Sequence, residues 1–254
     1  MTEEAWHALR MPIGRFDRLA LIDETPSTQG EARMRAQGRS GLVVIGKRQT
    51  AGRGRQGRTW DDGQGASLSM SMCVESALPV AGLSLAVGFG VLEACESLGA
   101  RDLGLKWPND VVQRGTGMRK LAGVLIEGAL PLAIVGVGLN VCRPPEGWLI
   151  AGDRPAASLE ELGVTIGRPA TAAAVLQAVS RWLEASEEAI ARKWREVGVL
   201  RGEYCEFRVG SKLVGGTVVD IDSQWRLVLE TREGNRLRVD SSHAHLEEHR
   251  AVQG

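Results

Sequence analysis

Near residue 199 the hydrophobic pattern of the chain changes period, and no single layer of secondary structure can carry both patterns. From Arg168 to Val197, Val175, Leu176, Val179, Trp182, Leu183, Ile190 and Trp194 fall near i, i+3, i+4 spacing, which predicts one long amphipathic helix capped by Gly198. Beyond it lie only short β-like runs: Tyr204–Val209, Leu213–Ile221, Trp225–Thr231 and Arg236–Val239. Polar turns separate them, at Gly210-Ser211, Asp222-Ser223 and Glu233-Gly234-Asn235. About fifty residues of this texture predict a small antiparallel barrel. Two units are therefore expected, residues 1–199 and 200–254, and a length of 254 residues accommodates one medium and one small domain.

Within residues 1–199, Leu19–Ile22 and Leu42–Ile45 read as strands. Between them Thr28-x-x-Glu31 has capping-box spacing, so a helix is expected from there to about Gln37, ended by Gly38 and Gly41. Ser67–Val74 alternates like a strand, and Ala77–Cys95 reads as a buried helix. Leu103–Lys106 is a further strand. Val111-Val112, Gly115-Thr116-Gly117 and Leu121–Glu127 form a hairpin pattern. Leu132–Val141 is the last strand, and its glycines at 136 and 138 suggest that a ligand or another backbone approaches closely. The fold class expected is α+β, a mixed sheet packed with helices.

Lys plus Arg number 31, as do Asp plus Glu. A dedicated nucleic-acid binder carries a basic excess, because phosphate neutralisation supplies most of its affinity, so no nucleic-acid partner is expected. Cys73, Cys95, Cys142 and Cys205 are scattered, with no C-x-x-C pair, which argues for thiols in a reducing cytosol rather than a zinc site or disulfide framework. Met1–Met11 carries Glu3, Glu4 and Arg10 and lacks the apolar centre of a secretion signal. Ala77–Cys95 is interrupted by Pro79, Gly82, Gly88, Gly90 and Glu93 and is shorter than the roughly 20 apolar residues of a membrane span. A cytoplasmic protein with no membrane partner is expected. His243, His245 and His249 lack the H-E-x-x-H order of a zinc protease and read as a solvated tail.

Four segments carry chemical information. The first is Gly52-Arg53-Gly54-Arg55-Gln56-Gly57-Arg58-Thr59-Trp60. Its glycines let backbone approach a ligand, and its arginines offer forked donors to carboxylate or phosphate oxygens. It is not a P-loop, and on its own it reads first as a basic surface loop, next as an anion site and last as an RNA contact. The second is Lys106-Trp107-Pro108-Asn109-Asp110 at a strand end, either a turn or a nucleotide contact. The third is Arg119-Lys120-Leu121-Ala122-Gly123-Val124-Leu125-Ile126-Glu127, and the fourth is Val135-Gly136-Val137-Gly138-Leu139-Asn140-Val141.

In this order and spacing the four segments resemble the catalytic domain of biotin–protein ligases over about residues 19–199, and a small C-terminal SH3-like barrel fits the same family. The resemblance implies an enzyme that activates biotin with ATP and Mg2+ to biotinyl-5'-AMP, releasing diphosphate. The biotin then passes to a lysine of a biotin carboxyl carrier protein, such as that of acetyl-CoA carboxylase. The resemblance sets biotin against Ser27, Thr28, Gln29, Gln49, Arg53, Gly54, Arg55, Lys120 and Gly123. It sets ATP against Arg58, Trp60, Lys106, Asn109, Asp110 and Asn140, and the metal at Asp110. Lys120, Arg55 and Lys106 take the catalytic roles. Gln29 departs from the Ser-Thr-Asn usual in the family, being one methylene longer.

The chemistry suits these residue types. A biotin carboxylate and ATP repel each other, so arginines, lysines and a divalent cation are needed to screen their charge and align them. The mixed anhydride must then be kept from water, which a glycine-rich loop closing over it achieves. A lipoate or octanoate ligase is the neighbouring reading. A non-catalytic binding module and a biotin-responsive DNA-binding repressor are the others. Some family members carry an N-terminal winged helix, but only about twenty residues precede the first strand here, too few for one. Either a monomer or a homodimer is compatible with the family.

Overall fold

A computed structural model describes residues 6–115, 117–144, 146–148, 155–242 and 244–250. Residues 1–5, Thr116 of the expected hairpin turn and His243 lie outside the described residues.

The larger of the two main sheets contains β1 (Arg18–Thr25), β2 (Leu42–Gln49), β5 (Ser67–Glu75), β6 (Leu103–Lys106), β7 (Asp110–Gln113), β8 (Lys120–Ala129) and β9 (Leu132–Asn140). Between β2 and β5 lies a miniature hairpin of β3 (Gly52–Arg53) and β4 (Thr59–Trp60). The seven strands run in the order β1-β2-β5-β9-β8-β7-β6. β1 and β2 pair in parallel, joined through helix α1 (Thr28–Arg35), and the other neighbours are antiparallel. The mixed sheet read from the sequence is therefore present.

β5 shows how the sequence assigns the two faces. Leu68, Met70, Met72 and Val74 join the main core, while Ser67, Ser69, Ser71 and Cys73 alternate with them toward the other face; all are buried. The main core is built around α2 (Val80–Ser97), buried almost without interruption from Gly82 to Cys95. By length and apolarity α2 would qualify to cross a membrane, but its burial inside this fold accounts for that composition. Two of its glycines are docking points. A Cβ on Gly90 would lie 2.7 Å from Val179 Cα, and one on Gly82 would lie 2.7 Å from the Trp225 indole nitrogen.

The single helix expected over Arg168–Val197 is two: α3 (Arg168–Trp182) and α4 (Glu187–Val197). Ser186 starts the second, accepting a hydrogen bond at its hydroxyl from the Ala189 N–H at 3.3 Å. A new helix begins where the pattern of apolar residues allows continuation, because a serine cap satisfies a helix start that periodicity does not reveal. Gly198 ends α4 as expected, in a non-helical conformation with φ −66° and ψ 113°. It is glycine for space: a Cβ there would meet the Trp194 carbonyl oxygen at 2.6 Å.

The C-terminal residues form a five-stranded antiparallel sheet of β10 (Tyr204–Val209), β11 (Lys212–Ile221), β12 (Leu227–Glu230), β13 (Arg236–Val239) and β14 (Ala244–Arg250), in the order β13-β12-β11-β10-β14. This is consistent with an SH3-like unit, although among the described residues its edge strands do not pair to close a barrel. The tail expected to be solvated is instead the edge strand β14, paired with β10 so that Leu246 lies opposite Phe207 and His245 opposite Arg208. Backbone pairing with a distant strand orders a segment whose own sequence is too polar to announce it. The two sheets share one core. The Trp107 indole N–H donates to the Trp225 carbonyl at 3.1 Å, and its ring meets Phe207 edge-on at 6.2 Å between centroids.

Candidate active site

Strand pairing places the smallest residues of four strands in one transverse row. Gly46 of β2 lies opposite Ser69 of β5, Ser69 opposite Gly138 of β9, and Gly138 opposite Gly123 of β8. Paired residues share a face, so the row is a trench across the sheet. Its roof comes from outside the row. A Cβ on Gly46 would lie 3.1 Å from the Thr28 methyl, one on Gly138 would lie 2.3 Å from the Trp60 ring, and one on Gly123 would lie 3.1 Å from Lys120 Nζ.

The trench opens into a cavity of about 60 Å³. Its lining unites Ser27, Thr28, Gln29, Gln49, Arg53, Gly54, Arg55, Lys120 and Gly123, residues scattered over almost a hundred positions of sequence. A second cavity of about 490 Å³ adjoins it, lined by Arg58, Lys106, Trp107, Pro108 and Asp110 and by Phe207, Ala244, His245 and Leu246 of the C-terminal sheet. Gly54, Arg55, Trp60, Asn109 and Lys120 line both. Asn140, grouped with the nucleotide residues by sequence, lines neither cavity. It is buried: it accepts from Ser67 Oγ at 3.0 Å and donates to the Lys120 and Ala157 carbonyls at 3.3 and 3.0 Å. Its amide braces the backbone that carries Lys120.

At the inner end of the first cavity, the backbone N–H and the hydroxyl of Thr28 both reach Gln49 Oε1, at 2.9 and 3.2 Å, and the Thr28 hydroxyl pairs with that of Ser71 at 2.8 Å. The capping box read at Thr28 and Glu31 is displaced. Ser27 is the N-cap, makes no capping bond, and Glu31 accepts from the Thr25 hydroxyl instead, at 3.4 Å. Four polar atoms of residues that line this cavity are sealed from solvent and have no hydrogen-bond partner: Ser27 Oγ, Gln29 Oε1, Ser69 Oγ and Trp60 Nε1. Buried polar groups are ordinarily paired, so such a cluster marks groups kept for a ligand.

The outer end is cationic. Lys120 Nζ stands 2.7 Å from Asp110 Oδ1 and 5.6 Å from the Trp60 ring centroid. Arg55 donates to Asn109 Oδ1 at 3.2 Å and to the Ser241 carbonyl, crossing to the C-terminal sheet. Burial lowers the Arg55 pKa from its ordinary value, against the opposing pull of Asp110. A guanidinium starts so high that it stays charged at neutral pH. Arg53 reaches Glu127 Oε2 at 2.9 Å, a carboxylate that Arg33 of α1 also approaches at 3.5 Å. The loop is thus not shapeless. Gly52 and Arg53 pair with Trp60 and Thr59, and a tight turn between them carries Gln56 at φ 56° and Gly57 at φ 75°.

Sequence reasoning missed Ser69, Leu125, Glu127 and Ser241. The first had a signal in the alternating serines of Ser67–Ser71. The others take their roles from contacts across strands and between sheets.

Comparison with known proteins agrees with this geometry. The family described as Biotin/lipoate A/B protein ligase family matches residues 20–140. The chain is similar to the biotin--[acetyl-CoA-carboxylase] ligase of Mycobacterium tuberculosis, 37% identical over 84% of this chain and 83% of that protein. It is also similar to the bifunctional ligase/repressor BirA of Escherichia coli, 31% identical over 76% of this chain and 62% of that protein. Among solved structures, the biotin protein ligase of Aquifex aeolicus in complex with biotin and ATP superposes with a TM-score of 0.79 at 28% identity, covering 91% of this chain and 99% of that one.

Proposed function

From a chain that belongs to the biotin/lipoate A/B protein ligase family, we infer that the two adjoining cavities are the biotin and ATP halves of one active site. The enzyme activates biotin with ATP to biotinyl-5'-AMP, releases diphosphate, and transfers biotin to a lysine of a biotin carboxyl carrier protein. One observation carries the assignment of the site: a cavity whose inner end holds unpaired neutral polar groups and whose outer end holds cations, sharing that outer wall with a larger cationic cavity. Biotin has the matching polarity, a neutral polar bicycle at one end and a carboxylate at the other.

In this reading Ser27, Thr28, Gln29, Gln49 and Gly123 surround the bicycle, and Arg53, Gly54, Arg55 and Lys120 surround the carboxylate. Lys106, Arg58, Asn109, Asp110 and Trp60 face the nucleotide. The carboxylate oxygen attacks the α-phosphorus and diphosphate leaves. Lys120 and Arg55 line both cavities, so each can neutralise charge on both reactants while holding them in line. Lys106 adds charge on the phosphate side. Trp60 and the loop lie down into the trench, so the first cavity is small, and biotin enters only as they lift. When they close again they exclude water from the anhydride. The acceptor amine then attacks the acyl carbon and AMP departs.

Magnesium bound with ATP would screen phosphate charge. Asp110 would hold it, beside the Asn109 amide, a sparse donor set suited to an ion whose remaining ligands are phosphate oxygens and water. Residues 1–199 form the catalytic unit in this reading, and 200–254 wall the nucleotide end. The four thiols are free, in keeping with a cytoplasmic enzyme.

Biotin-dependent exchange of labelled diphosphate into ATP, with magnesium and no acceptor protein, tests the reading. Exchange with biotin and none with lipoate is expected. Absence of exchange from folded protein would overturn it.

A further inference from the structure

The glycine-rich loop rises from a fork in the larger sheet, and Arg168 stands in that fork. The ladder between β2 and β5 ends where Gly46 lies opposite Ser69, within the trench row. Beyond that pair the strands part: β2 runs on beside β1 to Gln49, and β5 lies beside β9 from Ser67 onward. Residues 50–66 join the two limbs. Nη1 of Arg168 donates to a carbonyl of each limb, Lys47 on the outgoing one and Ser67, at 3.3 Å, on the returning one. Gly65 leaves the space for this: a Cβ there would lie 3.0 Å from the Lys47 carbonyl oxygen and 3.7 Å from Nη1. The buried Trp6 ring covers the guanidinium, 5.6 Å from its centroid. Asp62, inside the loop, ties the same limbs together. Its carboxylate accepts from the Gln49 N–H, and its carbonyl accepts from the Ser67 N–H at 2.9 Å.

The arrangement is a costly one for an arginine. Arg168 opens α3, where the helix dipole disfavours a cation, and it is only 8% exposed. Its Nε is sealed from solvent with no partner. Burial lowers its pKa from the ordinary value, against the pull of Cys142 and Asp62, yet a guanidinium keeps its charge at neutral pH. Capping does not account for it, since a guanidinium has only donors and the free groups at a helix start are donors too. We propose that Arg168 is a positioning residue for the closing loop: it pins the two limbs of the fork at one spacing, so that the loop returns to a single closed position over the trench. Arg168 lines neither cavity and acts through the backbone of Lys47 and Ser67. The inference rests on the biotin reading for what the loop closes upon. With the fork released, the open loop samples more positions, and closing it costs more conformational entropy. A smaller closed fraction weakens apparent affinity by that fraction, while a ligand once enclosed reacts at its ordinary rate.

Two measurements on Arg168→Met test this: amide hydrogen exchange without ligand, read by peptide mass spectrometry, and the biotin dependence of diphosphate exchange. Amides of residues 50–66 are expected to exchange hydrogen about tenfold faster than in wild type, with those of β9 and α2 unchanged. KM for biotin is expected to rise about tenfold, with the maximal rate of diphosphate exchange held within about twofold. Arg168→Lys keeps the charge but reaches less far into the fork, and changes of about threefold in the loop amides and in KM are expected. Loop amides unchanged in folded Arg168→Met would overturn the proposal, as would an unmoved KM. Faster hydrogen exchange spread evenly over the loop, β9 and α2 would mark a merely structural arginine and overturn it too. Should Arg168→Met not fold, wild-type loop amides in Arg168→Lys overturn it equally. Wild-type protein without biotin-dependent diphosphate exchange would remove the biotin reading instead, and the loop amides, which need no ligand, would then decide the role of Arg168 alone.

Discussion

The trench floor and the loop above it hold ligand-facing groups in opposite ways. The floor is central sheet: Ser69 and Gly138 are paired on both sides, and β5 is buried from Ser67 to Val74. The loop is a two-residue ladder and one turn, fastened by side chains at least partly in water. Arg53 is 45% exposed and its partner Glu127 is 23% exposed. Such fastenings are individually weak and break without disturbing the core. The difference explains how a site can be both selective and able to open: shape is set by the part that does not move, and water is excluded by the part that does.

Breaking the comparison at its chemically most demanding point should give the largest effect. Lys120→Ala removes a cation mounted on the floor strand β8. Diphosphate exchange is expected to fall by about 10²- to 10³-fold, in line with deletion of one group that stabilises developing charge. A rate within tenfold of wild type would mean that the loop, not the floor, supplies the critical charge. Next comes Arg55→Ala on the loop side, which removes the contacts to Asn109 and Ser241 together. Adenylate should leak and hydrolyse, raising acceptor-independent AMP release by roughly tenfold. Unchanged release would show that closure does not depend on this arginine.

Gly138→Ala sharpens the contrast from below. The new Cβ would lie 2.3 Å from the Trp60 ring. The floor cannot yield, so the ring must shift, and biotin should bind about tenfold more weakly while the melting temperature changes little. A large loss of melting temperature instead would show the floor to be the softer partner. Glu127→Gln should have the smallest effect. It frees Arg53 from an exposed pair, so stability should change by less than about 1 kcal/mol, and biotin association, followed by stopped flow, should quicken less than about fivefold. A tenfold change would make Glu127 a true latch.

Much of this was legible before any fold was known. The Gly-Arg loop and the K-W-P-N-D strand end are contiguous in sequence, so their glycines and charges could be read together. The glycines at 136 and 138 signalled close approach, and the structure supplies what approaches: Gln29 over the first and Trp60 over the second. Two readings failed for different reasons. The break between α3 and α4 rests on a local serine cap that the period of the apolar residues does not register, and the strand β14 rests on pairing with a distant edge. Asn140 was sorted with the nucleotide residues, yet its amide is fully engaged behind Lys120.

The sequence by itself determined the types of group available, the period of each segment, and hence the mixed sheet and the change of texture near residue 199. Local propensity and periodicity act over a few residues, so they can be read from a few residues. Only the tertiary structure decided that Gly46, Ser69, Gly138 and Gly123 form one trench, that Gln29 spans a strand to reach Leu125, and that β14 walls the second cavity. Those facts are matters of strand register and of contacts between segments up to almost two hundred residues apart. Such contacts exist only once burial has brought the segments together.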